Sequence, residues 1–304
     1  MSLDRLFDKR LLLVSGKGGV GKTIVSSSLA LEASRTGKSV CLVQAAAEDQ
    51  MGPLFGVGHI GHELKSLGPG IHGINLDSEL NFRDFVVLHL GFERMFDKVF
   101  TNGLVRSFVG MMPGIAEITL LGRLLYYLEE DKQNKFDLVI LDGFSSGHFL
   151  SLMSTPGAIL NAGFSGPIVT ETNRVQNLLM DKPRVGIVTV TQPESLIVSE
   201  TKHFIEEINR NFNSHIATVF VNRYLPDISS NDLSILANEG LVQHFKDKNR
   251  RIQEATLDLG NFVKSSLGDC ELFTLPDLGV IREPLDMEQV SQWFKDGAQW
   301  SLQR

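Results

Sequence analysis

The sequence predicts an α/β fold: a doubly wound, mostly parallel sheet flanked by helices, with an inserted helical subdomain. Short runs rich in Val, Ile and Leu alternate with helical-length intervals, as strands buried on both faces require. A glycine-rich turn, Gly16 to Thr23, joins the first run to a helical segment. Between Asp77 and Asp137 strand signals stop, and apolar residues recur mostly at spacings of three and four.

The expected strands are Arg10–Ser15, Ser39–Gln44, Leu138–Asp142, Arg184–Thr191 and Ile216–Asn222, with a sixth at Glu271–Leu275. Their alternation with helices implies right-handed crossovers and a ligand site at the strands' carboxyl ends. A helix is expected from about Gly21 to Arg35. The helical subdomain arises from insertions at about 78–132 and 156–183 in a single domain, 1–304. The first insertion carries Phe82, Phe85, Val86, Phe92, Met95, Phe96, Val99 and Phe100, then Phe108, Val109, Met111 and Met112 before Pro113-Gly114. The second, from Pro156 to Pro183, is broken by Gly157, Gly163 and Gly166. A last helix is expected over about Pro284 to Leu302, with Leu285, Val290, Trp293, Phe294 and Trp300 apolar. Asp286, Glu288 and Asp296 outnumber Lys295 and Arg304 on it. It therefore docks on the sheet rather than lying on a membrane.

The chain has 304 residues, 42% hydrophobic and 21% charged, enough to bury a core. Its net charge of −7 argues against a broad basic face, so no nucleic-acid partner is expected. No apolar run reaches the roughly 20 residues needed to span a bilayer, and the amino terminus leads almost at once into a strand. These point to a cytoplasmic protein without stable membrane insertion. The two cysteines, Cys41 and Cys270, read as buried thiols of a reducing compartment. Without a Cys-x-x-Cys pair, neither zinc nor an iron–sulfur cluster is expected. His59 and His62 have no clear companion ligands and read as surface histidines.

Gly16-Lys17-Gly18-Gly19-Val20-Gly21-Lys22-Thr23 fits G-x-x-x-x-G-K-[ST], with an apolar run before it and a helix after it. Glycines let backbone N–H groups turn inward around a phosphate. Lys22 would reach the terminal phosphates and the Thr23 hydroxyl would sit on Mg²⁺. The expected phosphate-binding set is Gly16, Gly18, Gly19, Val20, Gly21, Lys22, Thr23 and Ile24. Asp142 ends a buried strand near this loop, where its carboxylate would hold Mg²⁺ through water.

Lys17, at the loop's second position, resembles the extra lysine of the deviant phosphate loop shared by partition, septum-site, nitrogenase-iron and arsenite-pump ATPases. That resemblance implies a catalytic cation donated across a nucleotide-sandwich dimer, like an arginine finger. Further segments narrow the likeness. They are Asn75-Leu76-Asp77-Ser78-Glu79, Met112-Pro113-Gly114-Ile115-Ala116-Glu117, and Phe136 to Asp142 followed by Gly143 to His148. Then come Gln192-Pro193-Glu194-Ser195 with Glu200-Thr201, Val221-Asn222-Arg223 and Leu275-Pro276-Asp277. In this order they resemble the arsenite-pump ATPase and tail-anchored-protein targeting factor family. The resemblance implies ATP or ADP with Mg²⁺ as ligands and Lys17, Lys22 and Asp142 as catalytic residues. It puts Asn222 and Pro276 on the adenine side, Glu194 against a partner subunit, and Gly143–Gly147 as a flexible loop sensing the γ-phosphate. A turn-forming asparagine is the alternative for Asn222, and a solvent-facing or first-turn glutamate for Glu194.

The sequence departs from the family at switch I. Where the family has Asp-Pro-Ala-His-Asn, this chain has Gln44-Ala45-Ala46-Ala47-Glu48-Asp49-Gln50, which sets Ala46 on the water-activating aspartate. A methyl group neither accepts a proton nor orients water. Glu48 or Asp49 would substitute only if the loop repacked. Weak hydrolysis is expected, by a dimeric switch, paired either with itself or with a related ATPase subunit. The alternative is a non-hydrolysing subunit that heterodimerises with a catalytic paralogue. The Phe- and Met-rich helices read as core or as a protein interface rather than a groove for apolar clients.

Overall fold

The computed structural model describes residues 3–90, 114–131, 135–212, 216–225, 239–268, 270–279 and 283–299. The central strands are β1 (Leu11–Gly16), β2 (Val40–Gln44), β5 (Leu138–Ser145), β6 (Val185–Thr191), β7 (Ile216–Tyr224) and β8 (Glu271–Pro276). Each matches an expected strand to within a few residues. A hairpin, β3 (Lys65–Gly68) and β4 (Ile71–Asn75), and a short β9 (Ala298–Gln299) complete the described sheet. Its order is β3-β4-β2-β5-β1-β6-β7-β8-β9. The seven strands from β4 to β8 in that order pair in parallel, while β3 and β9 are antiparallel edges. This is the doubly wound α/β sheet anticipated from the alternation.

Successive residues of a strand point to opposite faces, so one apolar run feeds two cores. Leu11, Leu13, Cys41, Val43, Val139 and Leu141 face one core, and Leu12, Val14, Val40, Leu42, Leu138 and Ile140 the other. The first core is closed by α5 (Ile115–Glu129), α6 (Ser146–Asn161), α7 (Pro167–Met180), α8 (Ser195–Asn211) and α9 (Glu239–Leu267). The second is closed by α1 (Asp4–Phe7), α2 (Lys22–Arg35), α3 (Met51–Phe55) and α10 (Met287–Asp296). The Phe85 ring of α4 (Ser78–Leu90) lies over Gly122 of α5, where an added Cβ would come within 3.0 Å of it. No described helix is long and apolar enough to cross a membrane.

Several expectations need correction. The β3–β4 hairpin is not among the six expected strands, because His72 and Gly73 interrupt the apolar pattern of β4. Helix α6 runs through Pro156 and Gly157 instead of breaking there. Phe149, Leu152, Met153 and Ile159 are buried on both sides of the proline, and this packing outweighs one missing N–H donor. The last helix is shorter than 284–302. It stops at Asp296, Gly297 turns extended, and Ala298–Gln299 return along β8. Its docking on the sheet is as expected: Trp293 and Phe294 are buried, and the indole Nε1 donates to the Pro276 carbonyl at 3.0 Å. Phe92 to Pro113 and Trp300 to Arg304 lie outside the described residues, so the readings made on them there stand untested.

Candidate nucleotide site

The phosphate loop leaves the centre of the sheet between β5 and β6. Gly16 has φ 152°, and a Cβ on it would stand 2.0 Å from the Val190 carbonyl oxygen. Gly21 has φ 95°, and a Cβ there would meet Asn222 Nδ2 at 2.4 Å. Glycine is therefore required at both ends of the turn, by conformation and by space. Two amides from neighbouring strands clamp the loop between them. Gln192 Nε2 donates to the Gly19 carbonyl at 3.2 Å, and Asn222 Nδ2 to the Val20 carbonyl at 2.9 Å. Val20 and Ile24 are buried and anchor the loop from below. Gly18 and Gly19 are exposed, and nothing lies within 4 Å of where their Cβ atoms would be. The loop is held from behind and open in front, above the positive end of α2.

Lys22 and Thr23 begin α2. Lys22 Nζ donates to the Lys17 carbonyl at 3.1 Å, folded back over the loop. Burial pushes its ammonium below lysine's ordinary value, opposed by the charge of Asp142. Asp142 is 8% exposed. Gln44 Nε2 donates to its Oδ2 at 3.0 Å, whereas the buried Oδ1 has no hydrogen-bond partner. The nearby hydroxyls are committed elsewhere: Thr23 Oγ1 donates to Gln50 Oε1 and Ser26 Oγ to the Thr23 carbonyl, both at 3.1 Å. Burial pushes the Asp142 carboxyl above the usual range, and the Thr23, Ser26, Gln44 and Lys22 side chains pull back only part of that. An orphaned, buried carboxylate oxygen beside a threonine hydroxyl is a costly arrangement with no structural return. It fits a hard divalent cation, which takes oxygen ligands.

Within the chain the Lys17 side chain is engaged by an ion pair. Its ammonium pairs with Glu200 of α8 at 2.7 Å, both side chains being more than a third exposed. Glu194 occupies the N-cap position of α8 without capping it through its side chain, and it is exposed. The Gly143–Gly147 segment is not a loop. Strand β5 continues to Ser145, paired with Gly16 of β1, and α6 begins at Ser146. Gly143 permits this continuation, since a Cβ there would stand 1.9 Å from the Val14 carbonyl oxygen. Asp142 is accordingly a strand residue four positions before the helix start.

Ala46 is pinned by Asn75 on both sides. Its N–H donates to Asn75 Oδ1 at 3.0 Å, and Asn75 Nδ2 donates to its carbonyl at 3.1 Å. Asp49 is not available as a substitute base. Its Oδ1 accepts the N–H groups of Met51 (2.9 Å) and Gly52 (3.0 Å), its Oδ2 that of Ile60 (2.7 Å), and its side chain is 4% exposed. Glu48 is exposed. Of the two histidines, His59 is exposed, but His62 is not a plain surface residue. Its Nδ1 accepts the Asp77 N–H at 3.2 Å, so Nε2 donates to Asp84 at 3.0 Å, which Arg123 also binds. Among the described residues no group of three or more His, Cys, Asp or Glu side chains is arranged to hold a metal.

Asn222 is buried at the end of β7, and besides holding Val20 its Oδ1 accepts the N–H of Arg223, whose φ is 57°. The turn-forming work weighed as an alternative is thus present, and one amide proton and one lone pair remain. The Pro276 carbonyl at the end of β8 is taken by Trp293. Beside these strand ends lies a cavity of about 640 Å³, lined by Gln192, Pro193, Arg223, Lys248, Arg251 and Asp277, among others. A second cavity of about 670 Å³ lies between Ala45–Ala47, Phe144 and His148.

Gln44, Asn75, Gln192 and Gln50 stand in segments quoted from the sequence but were given no role there. A polar residue closing a buried strand was a usable signal for Gln44, as it was for Asp142. Gln50 carried none.

Residues 9–165 and 167–266 match the family model described as Anion-transporting ATPase. Among curated proteins, ATPase BagA of Mycobacterium tuberculosis is 27% identical over 230 residues, 73% of this chain and 67% of its own length. ATPase GET3 of Rhodotorula glutinis is 25% identical over 252 residues, 80% of this chain and 68% of its own. An ATPase ASNA1 homolog of Plasmodium vivax is 23% identical over 327 residues, 96% of this chain and 82% of its own.

Proposed function

The chain belongs to the anion-transporting ATPase family, and on that premise we propose that it is an ATP-binding dimeric switch whose own hydrolysis is slow. The loop N–H groups from Gly16 to Thr23 and the Lys22 ammonium hold the β- and γ-phosphates. The Thr23 hydroxyl and the Asp142 carboxylate would hold Mg²⁺, and Asn222 and Pro276 would flank adenine. Bound Mg²⁺ would supply neutralisation of phosphate charge, and the remaining roles fall to the loop N–H groups and the side chains named here. The observation that carries this reading is the buried, unpartnered Asp142 Oδ1 beside Thr23. Slow turnover follows from Ala46, whose methyl group replaces an acid, and from Asp49, whose carboxylate is consumed by three N–H groups. Losing a water-positioning group costs on the order of 10²–10⁴ in rate.

Dimerisation would exchange one contact for another. Lys17 would leave Glu200 for a neighbour's phosphates, a cheap exchange because an exposed ion pair holds only about 0–1 kcal/mol. Helices α4, α5, α6 and α7, which fall largely in the insertions at about 78–132 and 156–183, are proposed as the part that reports nucleotide state to a protein partner. Titration calorimetry with ATP and Mg²⁺ tests the reading. Binding is expected for the wild-type chain and absent in Lys22→Ala. No uptake by folded wild-type protein would refute it.

The releasable Lys17 favours one second reading, a heterodimer in which this subunit completes a catalytic paralogue's site. Mixing should then raise the paralogue's turnover, and Lys17→Ala protein should not. Equal stimulation by both would exclude it.

A further inference from the structure

With Ala46 inert and Asp49 consumed, the loop between β2 and α3 still delivers one polar side chain to the metal threonine. Gln50 Oε1 accepts the Thr23 hydroxyl at 3.1 Å. Its backbone is placed as firmly: the Gln50 N–H donates to Gln44 Oε1 at 3.2 Å, and Gln44 Nε2 donates to Asp142 Oδ2 at 3.0 Å. The chain Thr23–Gln50–Gln44–Asp142 thus ties both proposed magnesium residues to switch I through two carboxamides. Asp49 fixes the turn from the other side by capping α3. The Gln50 side chain itself is solvent-exposed and bound only at Thr23 among the contacts described. It is anchored at the backbone, and its tip rests on the Thr23 hydroxyl.

We infer that Gln50 is a positioning residue for ATP hydrolysis, its carboxamide orienting water on the γ-phosphate side of Thr23 in place of the missing aspartate. This rests on the nucleotide reading above. A carboxamide both donates and accepts hydrogen bonds, so it can hold a water in one orientation. A glutamine serves this purpose in other phosphate-loop hydrolases. It is not a base at any accessible pH. The water oxygen forms the new P–O bond, the bond to the β–γ bridging oxygen breaks, and the water's proton passes to a phosphate oxygen of the substrate. No protein group changes charge. The turnover this chain retains is therefore slow and lacks the acidic limb that a carboxylate base would impose.

The test compares wild type, Gln50→Ala and Gln50→Glu, with Asp49→Ala as a structural control. Two readouts are used: kcat with its pH profile, and binding of ADP·Mg²⁺ with and without fluoroaluminate, which mimics the transferring phosphoryl group. Gln50→Ala should lower kcat at least tenfold and weaken fluoroaluminate-dependent trapping at least tenfold. Its melting temperature and ADP affinity should stay within about twofold or a degree of wild type. Gln50→Glu should restore trapping and add an acidic limb to the pH profile. If the wild type does not turn over measurably, the trapping readout decides. Unchanged trapping in Gln50→Ala overturns the proposal, and so does a parallel loss of ADP binding and stability like that of Asp49→Ala. Failure of wild-type protein to bind ADP at all would instead remove the nucleotide reading itself.

Discussion

Replacing Asp142 by asparagine should stabilise the nucleotide-free protein while abolishing its magnesium-dependent binding of nucleotide. Asp142 is 8% exposed, and its Oδ1 has no partner. An unsatisfied buried acceptor costs about 1–3 kcal/mol, and more when charged. Asparagine keeps an oxygen for Gln44 Nε2 and places an N–H₂ group beside the Thr23 and Ser26 hydroxyls, whose lone pairs can accept. The opposing loss is the attraction to Lys22, but that ammonium is only partly buried and retains its bond to the Lys17 carbonyl. Burial decides the sign, and a net gain of about 1–2 kcal/mol is expected. At about 2.1 cal/mol/K of unfolding entropy per residue, this raises the melting temperature by about 2–3 °C.

The pH dependence gives a second handle. The folded-state pKa of Asp142 is raised, so the folded chain favours the protonated acid. That preference stabilises the fold below the folded-state pKa and is lost as pH rises through it. The gap between Asp142→Asn and wild type should therefore widen from acid towards neutral pH and close again on acidification. Scanning calorimetry of both proteins across that range, without and with Mg²⁺ and ATP, is the assay. Ligand should raise the melting temperature of wild type only. A destabilised variant at neutral pH, or a gap that ignores pH, would refute the burial argument.

Other perturbations separate the remaining roles. Ala46→Asp should raise turnover by about 10² or more, since Asn75 fixes the backbone that aims the new carboxylate; phosphate release measures it. Asp49→Ala leaves three N–H groups without their acceptor and should cost about 2–4 kcal/mol by urea denaturation. Glu200→Ala should change stability by less than about 1 kcal/mol yet increase ATP-dependent self-association, read by analytical ultracentrifugation, because it frees Lys17. Trp293→Phe should cost about 1 kcal/mol, as it removes the donor to the Pro276 carbonyl.

The six central strands and the phosphate loop were legible because their signals are local. Apolar continuity marks a strand buried on both faces, and Gly16 to Thr23 is one contiguous turn whose glycines answer to backbone conformation. Asp142 was legible for a related reason, a charged residue closing an apolar run. Ala46 could be read as an absence, since chemistry forbids a methyl group the work of an acid. What the tertiary structure alone decided were partnerships between distant segments. Asp49 and Gln50 are adjacent polar residues, and from the sequence only Asp49, with Glu48, stood as a substitute for the missing acid. Folding buries one carboxylate among three backbone donors and leaves the other side chain on Thr23. Likewise the bonds of Asn222 to Val20 and of Lys17 to Glu200 join residues about two hundred positions apart. A side chain's role at such a site depends on which of its hydrogen-bonding atoms are already taken, and only the packed chain determines that.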